Sequence, residues 1–308
     1  MDNEPLIAIL LCTYNGSEYL REQFDSFIGQ THKNWVVYAS DDGSTDGTLD
    51  ILQEYQQDLG ARLIILQGPR QGFAANFISL IRHPAVEGSY FAFSDQDDIW
   101  MADKLTRGLE TLQSQNHDAA ALYCSRTQLI DSKGKNLGFS PLFSKPPSFR
   151  NALVQSLAGG NTMLINQQAR TLLSVTPADA RIVAHDWFTY LIVSSYQGVI
   201  VYDPKPTILY RQHGNNLIGS NTGLRHRLIR LACALHGRFS EWTDMNLSTL
   251  LPHKPHLGSE NLQVLEQFEL ARKSPLLKRL RLLNKAQVYR QTLAGNLSLA
   301  AAAILNKL

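Results

Sequence analysis

The sequence predicts an α/β fold: a mostly parallel sheet with helices on both faces, followed by a C-terminal helical extension. Three observations carry this reading. Over the first hundred residues, short apolar runs alternate with amphipathic stretches in the order βαβαβαβ. The connections between them are short, which in that order means parallel strands joined by crossover helices. Past residue 220 the alternation stops, and helical segments interrupted by Pro252, Pro255 and Pro275 take over. The chain is thus expected to divide into an α/β domain at 1–220 and a basic helical extension at 221–308.

Residues 6–12 form a continuous apolar run of buried-strand length, and Ser17 is expected to cap a segment in which Leu20, Phe24, Phe27 and Ile28 recur at helical spacing. The strand signal returns at 35–40, 63–66 and 90–93, and the helix signal at 46–57, 72–81 and 103–113. After these the pattern is less regular. An apolar strand is expected at 119–124, then a Lys/Gly/Pro-rich stretch at 131–147 and the turn-like Gly159-Gly160-Asn161. A helix at 185–196 and strands at 199–202 and 207–210 complete the domain, and there is no internal repeat.

The chain has 308 residues, and its 29 Lys plus Arg against 27 Asp plus Glu leave a net charge of only +2. Divided at residue 220, that total becomes 16 basic and 22 acidic side chains (−6) before the division and 13 and 5 (+8) after it. An acidic body and a basic tail point to an anionic surface as partner of the tail. With 44% hydrophobic and 18% charged residues, the composition excludes disordered, collagenous and fibrous classes. Cys12, Cys124 and Cys233 are odd in number and widely spaced, so neither a disulfide framework nor a zinc site is supported. A reducing cytosol fits best. The opening residues carry acids where a signal peptide needs a basic stretch. No run reaches the ~20 mostly apolar residues of a spanning helix. A soluble or peripheral protein is expected.

In open parallel sheets, ligands bind beyond the carboxyl ends of the strands, and there this sequence concentrates its polar residues. Asp95, Asp97 and Asp98 directly follow an apolar strand. Three carboxylates so close repel one another, and a divalent cation with a diphosphate neutralises them; oxygen ligands in a hydrated arrangement suit Mg²⁺ or Mn²⁺. The same residues also suit a solvated acidic turn capping a helix. Asp41-Asp42-Gly43-Ser44-Thr45-Asp46 likewise reads two ways, as a turn with Thr45 or Asp46 as a helix cap, or as acceptors for a nucleotide's base or ribose.

Four ordered segments lift this ambiguity: Cys12-Thr13-Tyr14-Asn15, the stretch from Ser40 to Thr48, Ser94-Asp95-Gln96-Asp97-Asp98-Ile99-Trp100, and His185-Asp186-Trp187. Together they resemble the family 2 glycosyltransferases with the GT-A, Rossmann-like fold. A fifth segment, Tyr210-Arg211-Gln212-His213-Gly214-Asn215-Asn216, resembles the bacterial branch that includes rhamnosyltransferases and other polysaccharide-assembly enzymes. The resemblance implies that Thr13, Tyr14, Asp41 and Asp42 hold the nucleoside, that Arg70 approaches the diphosphate, and that Asp95 belongs to the donor site. It implies Asp97 and His213 as metal ligands, Asp186 as the general base, and weaker acceptor contacts at Asn161 and Trp187. His185 either orients Asp186 or packs beside it. The activity so implied is inverting, metal-dependent sugar transfer. The donor is UDP- or dTDP-linked, with rhamnose suggested by the branch, and the acceptor is a glycan or lipid-linked glycan of the cell surface. At Asp186 two effects oppose: a helix N-terminus lowers its pKa, whereas burial and the acidic neighbourhood raise it.

The tail carries a separate signal. Residues 271–308 hold eight Lys or Arg and no acid, and on a helical projection Leu276, Leu280 and Leu283 oppose Lys278, Arg281 and Lys285. Such a helix either lies in an anionic membrane interface, on the inner face of the cell membrane, or packs on the catalytic domain with its charges in water. Nucleic acid is not expected, because no aromatic residues punctuate the basic stretch. Rival readings are a sugar nucleotidyltransferase, a metal-dependent phosphohydrolase and a non-catalytic glycan-binding or scaffold protein. The first is disfavoured because Thr13-Tyr14-Asn15-Gly16-Ser17 lacks the positive charge of a phosphate loop.

Overall fold

A computed structural model of the chain describes residues 4–116, 118–177, 180–213 and 238–308. Its organising strand is β1 (Ile7–Thr13), which pairs in parallel with β2 (Trp35–Asp41) on one side and with β4 (Tyr90–Ser94) on the other. β3 (Leu63–Gln67) extends the sheet beyond β2, again in parallel. Beyond β4 the direction reverses once: β9 (Leu164–Asn166) runs antiparallel to β4 and to β6 (Ala121–Ser125), and β10 (Val199–Asp203) lies parallel to β6 at the edge. The seven-stranded order is β10-β6-β9-β4-β1-β2-β3. All seven residues of β1 and all seven of β2 are buried, as continuous apolar strands covered on both faces must be.

Side-chain alternation along β1 divides the core. Ile7, Ile9 and Leu11 pack with Phe24 and Phe27 of α1 (Leu20–Ile28), whereas Ala8, Leu10 and Cys12 pack with Phe77 and Ile81 of α3 (Phe73–Arg82). The other helices of this region are α2 (Thr48–Leu59), α4 (Lys104–Gln113), α5 (Phe149–Ala152), α6 (Gln167–Ser174) and α7 (His185–Ser195). The expected Ser17 cap is not used: α1 begins after Tyr19, and the Ser17 N–H donates instead to Asp46 (3.2 Å). Neither Thr45 nor Asp46 is the cap of α2, which is Gly47; Asp46 stands one residue earlier, where its carboxylate accepts from the Thr48 N–H (3.0 Å).

A second sheet lies outside the sequence reading. Its order is β5 (Ile99–Trp100), β11 (Ile208–Gln212), β7 (Gln128–Asp131) and β8 (Asn136–Phe139). β11 is antiparallel to β5 and parallel to β7, and β7 and β8 form a hairpin across the Lys/Gly-rich stretch. Of its strands only β11 is expected from the sequence, at 207–210; β5 with two residues and β7 and β8 with four show too little periodicity to be read from sequence. Their placement matters, because β5 continues the Asp95–Asp98 loop and β11 leads into His213.

The expected boundary at 220/221, together with Gly214, Asn215, Asn216 and Cys233, lies outside the described residues; Cys12 and Cys124 are buried free thiols. After it come helices Arg238–Leu250, Ser259–Arg272, Leu276–Ala286 and Leu293–Ile304. Phe239, Leu265, Phe268 and Leu299 of these helices share one core with Phe188 and Leu191 of α7. The helix Leu276–Ala286 is oriented against simple amphipathic expectation: it buries Arg279 and leaves Leu276 and Leu280 exposed.

Candidate active site

The loops at the carboxyl ends of β1 to β4 form one rim, and β1, flanked by β2 and β4, is where the strand order reverses. Across that point the Tyr14 N–H donates to Gln96 Oε1 (2.8 Å) and Gln96 Nε2 donates to the Tyr14 carbonyl (3.0 Å). Gly16 leaves room for this clamp, since a Cβ there would lie 2.2 Å from Gln96 Oε1. The Tyr14 side chain remains 58% exposed above it. The first two loops are joined similarly: the Asn15 N–H donates to Ser44 Oγ (2.9 Å), and Asn15 Oδ1 accepts from the Thr45 N–H (2.8 Å).

Below the rim, Thr13 Oγ1 donates to Asp41 Oδ1 (3.0 Å), and Asp41 Oδ2 accepts from the N–H groups of Gly43 (3.1 Å) and Ser44 (2.9 Å). Asp42 accepts from the N–H groups of Arg70 (2.6 Å) and Gly72 (2.7 Å), fixing the loop after β3. Both carboxylates are buried and organise backbone. Arg70 is exposed, in the left-handed region at φ 58°, with its stem over Gly43.

The loop after β4 points successive carboxylates in different directions. Asp97 Oδ2 meets His213 Nε2 at 2.7 Å, and the His213 ring leans on Tyr19 at 5.3 Å between centroids. Asp98 turns inward and is fully buried, accepting from the Arg211 N–H (3.1 Å) and from Asn161 Nδ2 (2.5 Å). Arg211, also buried, donates to the Asp97 carbonyl (3.0 Å), the Ser132 carbonyl (3.2 Å) and Glu22 (2.8 Å). Its guanidinium lies over the Tyr19 ring at 4.4 Å. Nearby, burial lowers the pKa of Lys104 to about 7 despite the opposing charge of Asp98, and its ammonium faces the Trp100 ring at 4.4 Å.

Asp186 lies in the first turn of α7 and accepts from the Trp187 N–H (2.6 Å). Burial dominates there, raising its pKa to about 6 against the lowering effect of backbone hydrogen bonds. Asp95 rises to about 8, first through burial and then through the charges of Asp97 and Asp186. Three carboxylates from two distant segments therefore share one electrostatic neighbourhood. His185 does not turn toward them. Its ring stacks on Phe77 at 3.7 Å with Phe93 edge-on at 5.3 Å, neither ring nitrogen has a hydrogen-bond partner among the described residues, and burial lowers its pKa to about 3.

The two expected acceptor residues lie inside. Asn161 is 3% exposed and spends its amide on Asp98, and Trp187 donates its indole N–H to the Ala152 carbonyl (2.7 Å). Sequence reasoning did not single out Gln96, Gln23 or Lys104, which secure the acidic loop; Gln23 Oε1 accepts the Asp98 N–H (3.1 Å). Only the neighbourhood of Arg211 to His213 hinted at its part.

Among the described residues no three His, Cys, Asp or Glu side chains are grouped to hold a metal ion. The donors present still fit one. A carboxylate and an imidazole meeting at 2.7 Å leave most positions to phosphate and water, the arrangement that Mg²⁺ and Mn²⁺ favour. The carboxylates that burial and mutual repulsion drive toward protonation would be relieved by a cation.

Residues 8–163 match the family model described as glycosyl transferase family 2. The chain belongs to the family 2 glycosyltransferases and is a glycosyltransferase with the GT-A fold, of the bacterial rhamnosyltransferase-like branch. The dTDP-rhamnosyl transferase RfbG of Shigella flexneri is 32% identical over 235 residues, 72% of this chain and 78% of that protein. Two solved structures share the fold. Staphylococcus aureus TarS 1–349 in complex with UDP-GlcNAc has a TM-score of 0.57 at 13% identity, covering 98% of this chain and 88% of that one. The mannosyltransferase PcManGT of Pyrobaculum calidifontis, in complex with GDP-Man and Mn²⁺, has a TM-score of 0.52 at 18% identity, covering 99% and 81%.

Proposed function

We propose that this glycosyltransferase is inverting and metal-dependent, transferring a sugar from a UDP- or dTDP-linked donor to a glycan or lipid-linked glycan during cell-surface polysaccharide assembly. The observation that carries it is the 2.7 Å meeting of Asp97 with His213 beside the carboxylates of Asp95 and Asp186. The dTDP-rhamnosyl transferase relative supports a deoxyhexose donor, and the Mn²⁺ complex of the mannosyltransferase supports a divalent cation. We assign the catalytic part to residues 1–220, in the cytoplasm.

In this reading Tyr14 and the Thr13–Asp41 pair form the nucleoside side of the pocket, and Arg70 supplies positive charge toward the diphosphate. Asp97 and His213 would hold Mg²⁺ or Mn²⁺, whose charge would offset that of the leaving nucleoside diphosphate. Asp186 takes the proton of the acceptor hydroxyl as that oxygen attacks the anomeric carbon. With a pKa near 6 it is mostly ionised at neutral pH yet basic enough to receive a proton. One base and direct displacement invert the anomeric configuration. Thr13, Asp41, Asp42 and Asp98 keep their positions through hydrogen bonds already made, so little reorganisation accompanies the reaction.

A thermal-shift screen of nucleoside diphosphates and nucleotide sugars, with and without Mn²⁺, tests this. Stabilisation by dTDP or UDP that requires the cation is expected. Pyrophosphate release from NTP and sugar phosphate, or donor hydrolysis indifferent to acceptor, would replace it by a rival chemistry.

A further inference from the structure

We propose that the outer face of the last two helices is a docking surface for an anionic lipid bilayer. The two most exposed large apolar side chains among the described residues are there: Leu293 at 78% and Leu277 at 75%. With Leu276 and Leu280 on one helix and Leu297 and Ile304 on the other, they present leucine to solvent where a helix packed only for stability would turn it inward. The inward position is taken by Arg279, whose guanidinium donates to the carbonyls of Ala303 (2.7 Å) and Ser274 (2.8 Å) and also bonds Asn306. This bridge ties the two helices together, with Leu280 next to the arginine and Ile304 next to the alanine it caps. The junction between the two helices is held to the catalytic part: Arg150 donates to the Ala286 carbonyl (2.6 Å) and Asn151 to that of Tyr289 (2.9 Å).

Charge selects the occupant. Of the eight basic residues at 271–308, Arg272, Arg279 and Arg290 are spent on internal contacts. Lys273, Lys278, Arg281, Lys285 and Lys307 are exposed and form no ion pair among the described residues, and the stretch contains no acid. On Leu276–Ala286 the buried side is held by Arg279 and Ala286, so the exposed side carries Leu276, Leu277 and Leu280 on one flank and Lys278, Arg281 and Lys285 on the other; a second copy would bring cations onto cations, whereas anionic headgroups meet them while acyl chains receive the leucines. No helix among the described residues is long and apolar enough to cross a membrane, so contact is from the surface.

The test is flotation of the full chain with vesicles of phosphatidylcholine alone or mixed with phosphatidylglycerol, a readout independent of sugar transfer. Binding is expected only to the anionic vesicles and should fall steeply with salt, each basic residue contributing about fivefold. Leu277→Ser with Leu293→Ser, and separately Lys278→Glu with Arg281→Glu, should each reduce binding at least about tenfold. Both pairs are exposed, so an unchanged melting temperature verifies folding. No binding to anionic vesicles, or binding by either variant equal to that of the native chain, overturns the proposal. A concentration-dependent dimer that Leu277→Ser with Leu293→Ser dissolves would also overturn it, by showing that the face is covered by a second copy.

Discussion

Asp97 and His213 stand 116 positions apart in the chain and 2.7 Å apart in the fold. The second sheet produces this meeting, because β5 and β11 pair antiparallel and bring together the two segments that carry the residues. In the proposed metal site each side chain serves as a ligand only while the other is held opposite. Asp97→Ala and His213→Ala should therefore each weaken nucleoside diphosphate binding in Mn²⁺ and leave metal-free binding nearly unchanged. Calorimetric titration with and without the cation measures this, and equal losses in both conditions would remove the metal role.

Asp186→Asn should separate activity from stability. Turnover is expected to fall ~10²–10⁴-fold with donor binding retained. The folded pKa lies above the ordinary 3.8, so the native state holds its proton more tightly than the unfolded chain, and stability is lost as pH rises from about 4 through about 6. Removing the carboxylate should then raise stability at pH 7 by about 1–3 kcal/mol. In the native enzyme, activity should climb with pH through about 6. A flat profile across that range, with near-normal turnover of the variant, would exclude Asp186 as base.

His185 predicts the opposite dependence. Its folded pKa is depressed to about 3 from 6.5 by burial, so the unfolded chain binds the extra proton and stability falls as pH drops below about 6.5. His185→Phe should flatten the acid side of a melting-temperature profile between pH 6.5 and 4. An unaltered acid slope would show that other groups set it.

Gly160 faces the same ring. A Cβ there would lie 1.9 Å from His185 Nε2, in a box that Phe77 and Phe93 leave no room to enlarge. Gly160→Ala should cost about 1–3 kcal/mol by overpacking, read as a lower denaturant midpoint. A midpoint equal to that of the native chain would mean the ring can move aside.

The Tyr14–Gln96 clamp is better tested by a double-mutant cycle. Gly16→Ala displaces the end of Gln96, and Gln96→Ala removes it. Each should raise KM for the donor with only a small change in melting temperature, and the double variant should be no worse than the poorer single one. Fully additive losses would show that the two residues act separately.

The sequence made the parallel half of the fold legible because long apolar strands and amphipathic helices have distinct periods. β1, β2 and α1 lie within a residue or two of expectation. It was silent where elements are short or reversed: β9 has three residues and β5 two, and no period is visible at that length. Thr13, Tyr14, Asp42 and Asp97 do gather at one rim. Asn161 and Trp187 are drawn inward, since a residue near a site in sequence can serve the core instead. The balance of dipole against burial at Asp186 required the fold, because burial depends on what packs around α7.

Asp98 and Arg211 have a consequence for how this enzyme can change. Each is buried, each is bonded to several distant segments, and between them they determine the shape of the acidic loop as soon as the chain folds. Tyr14 and Arg70 are exposed and are held chiefly through their backbones. The buried floor and the exposed rim are thus separable inheritances. A library that randomises Tyr14 and Arg70 while keeping Asp98, Asn161 and Arg211 varies the rim without asking the protein to refold.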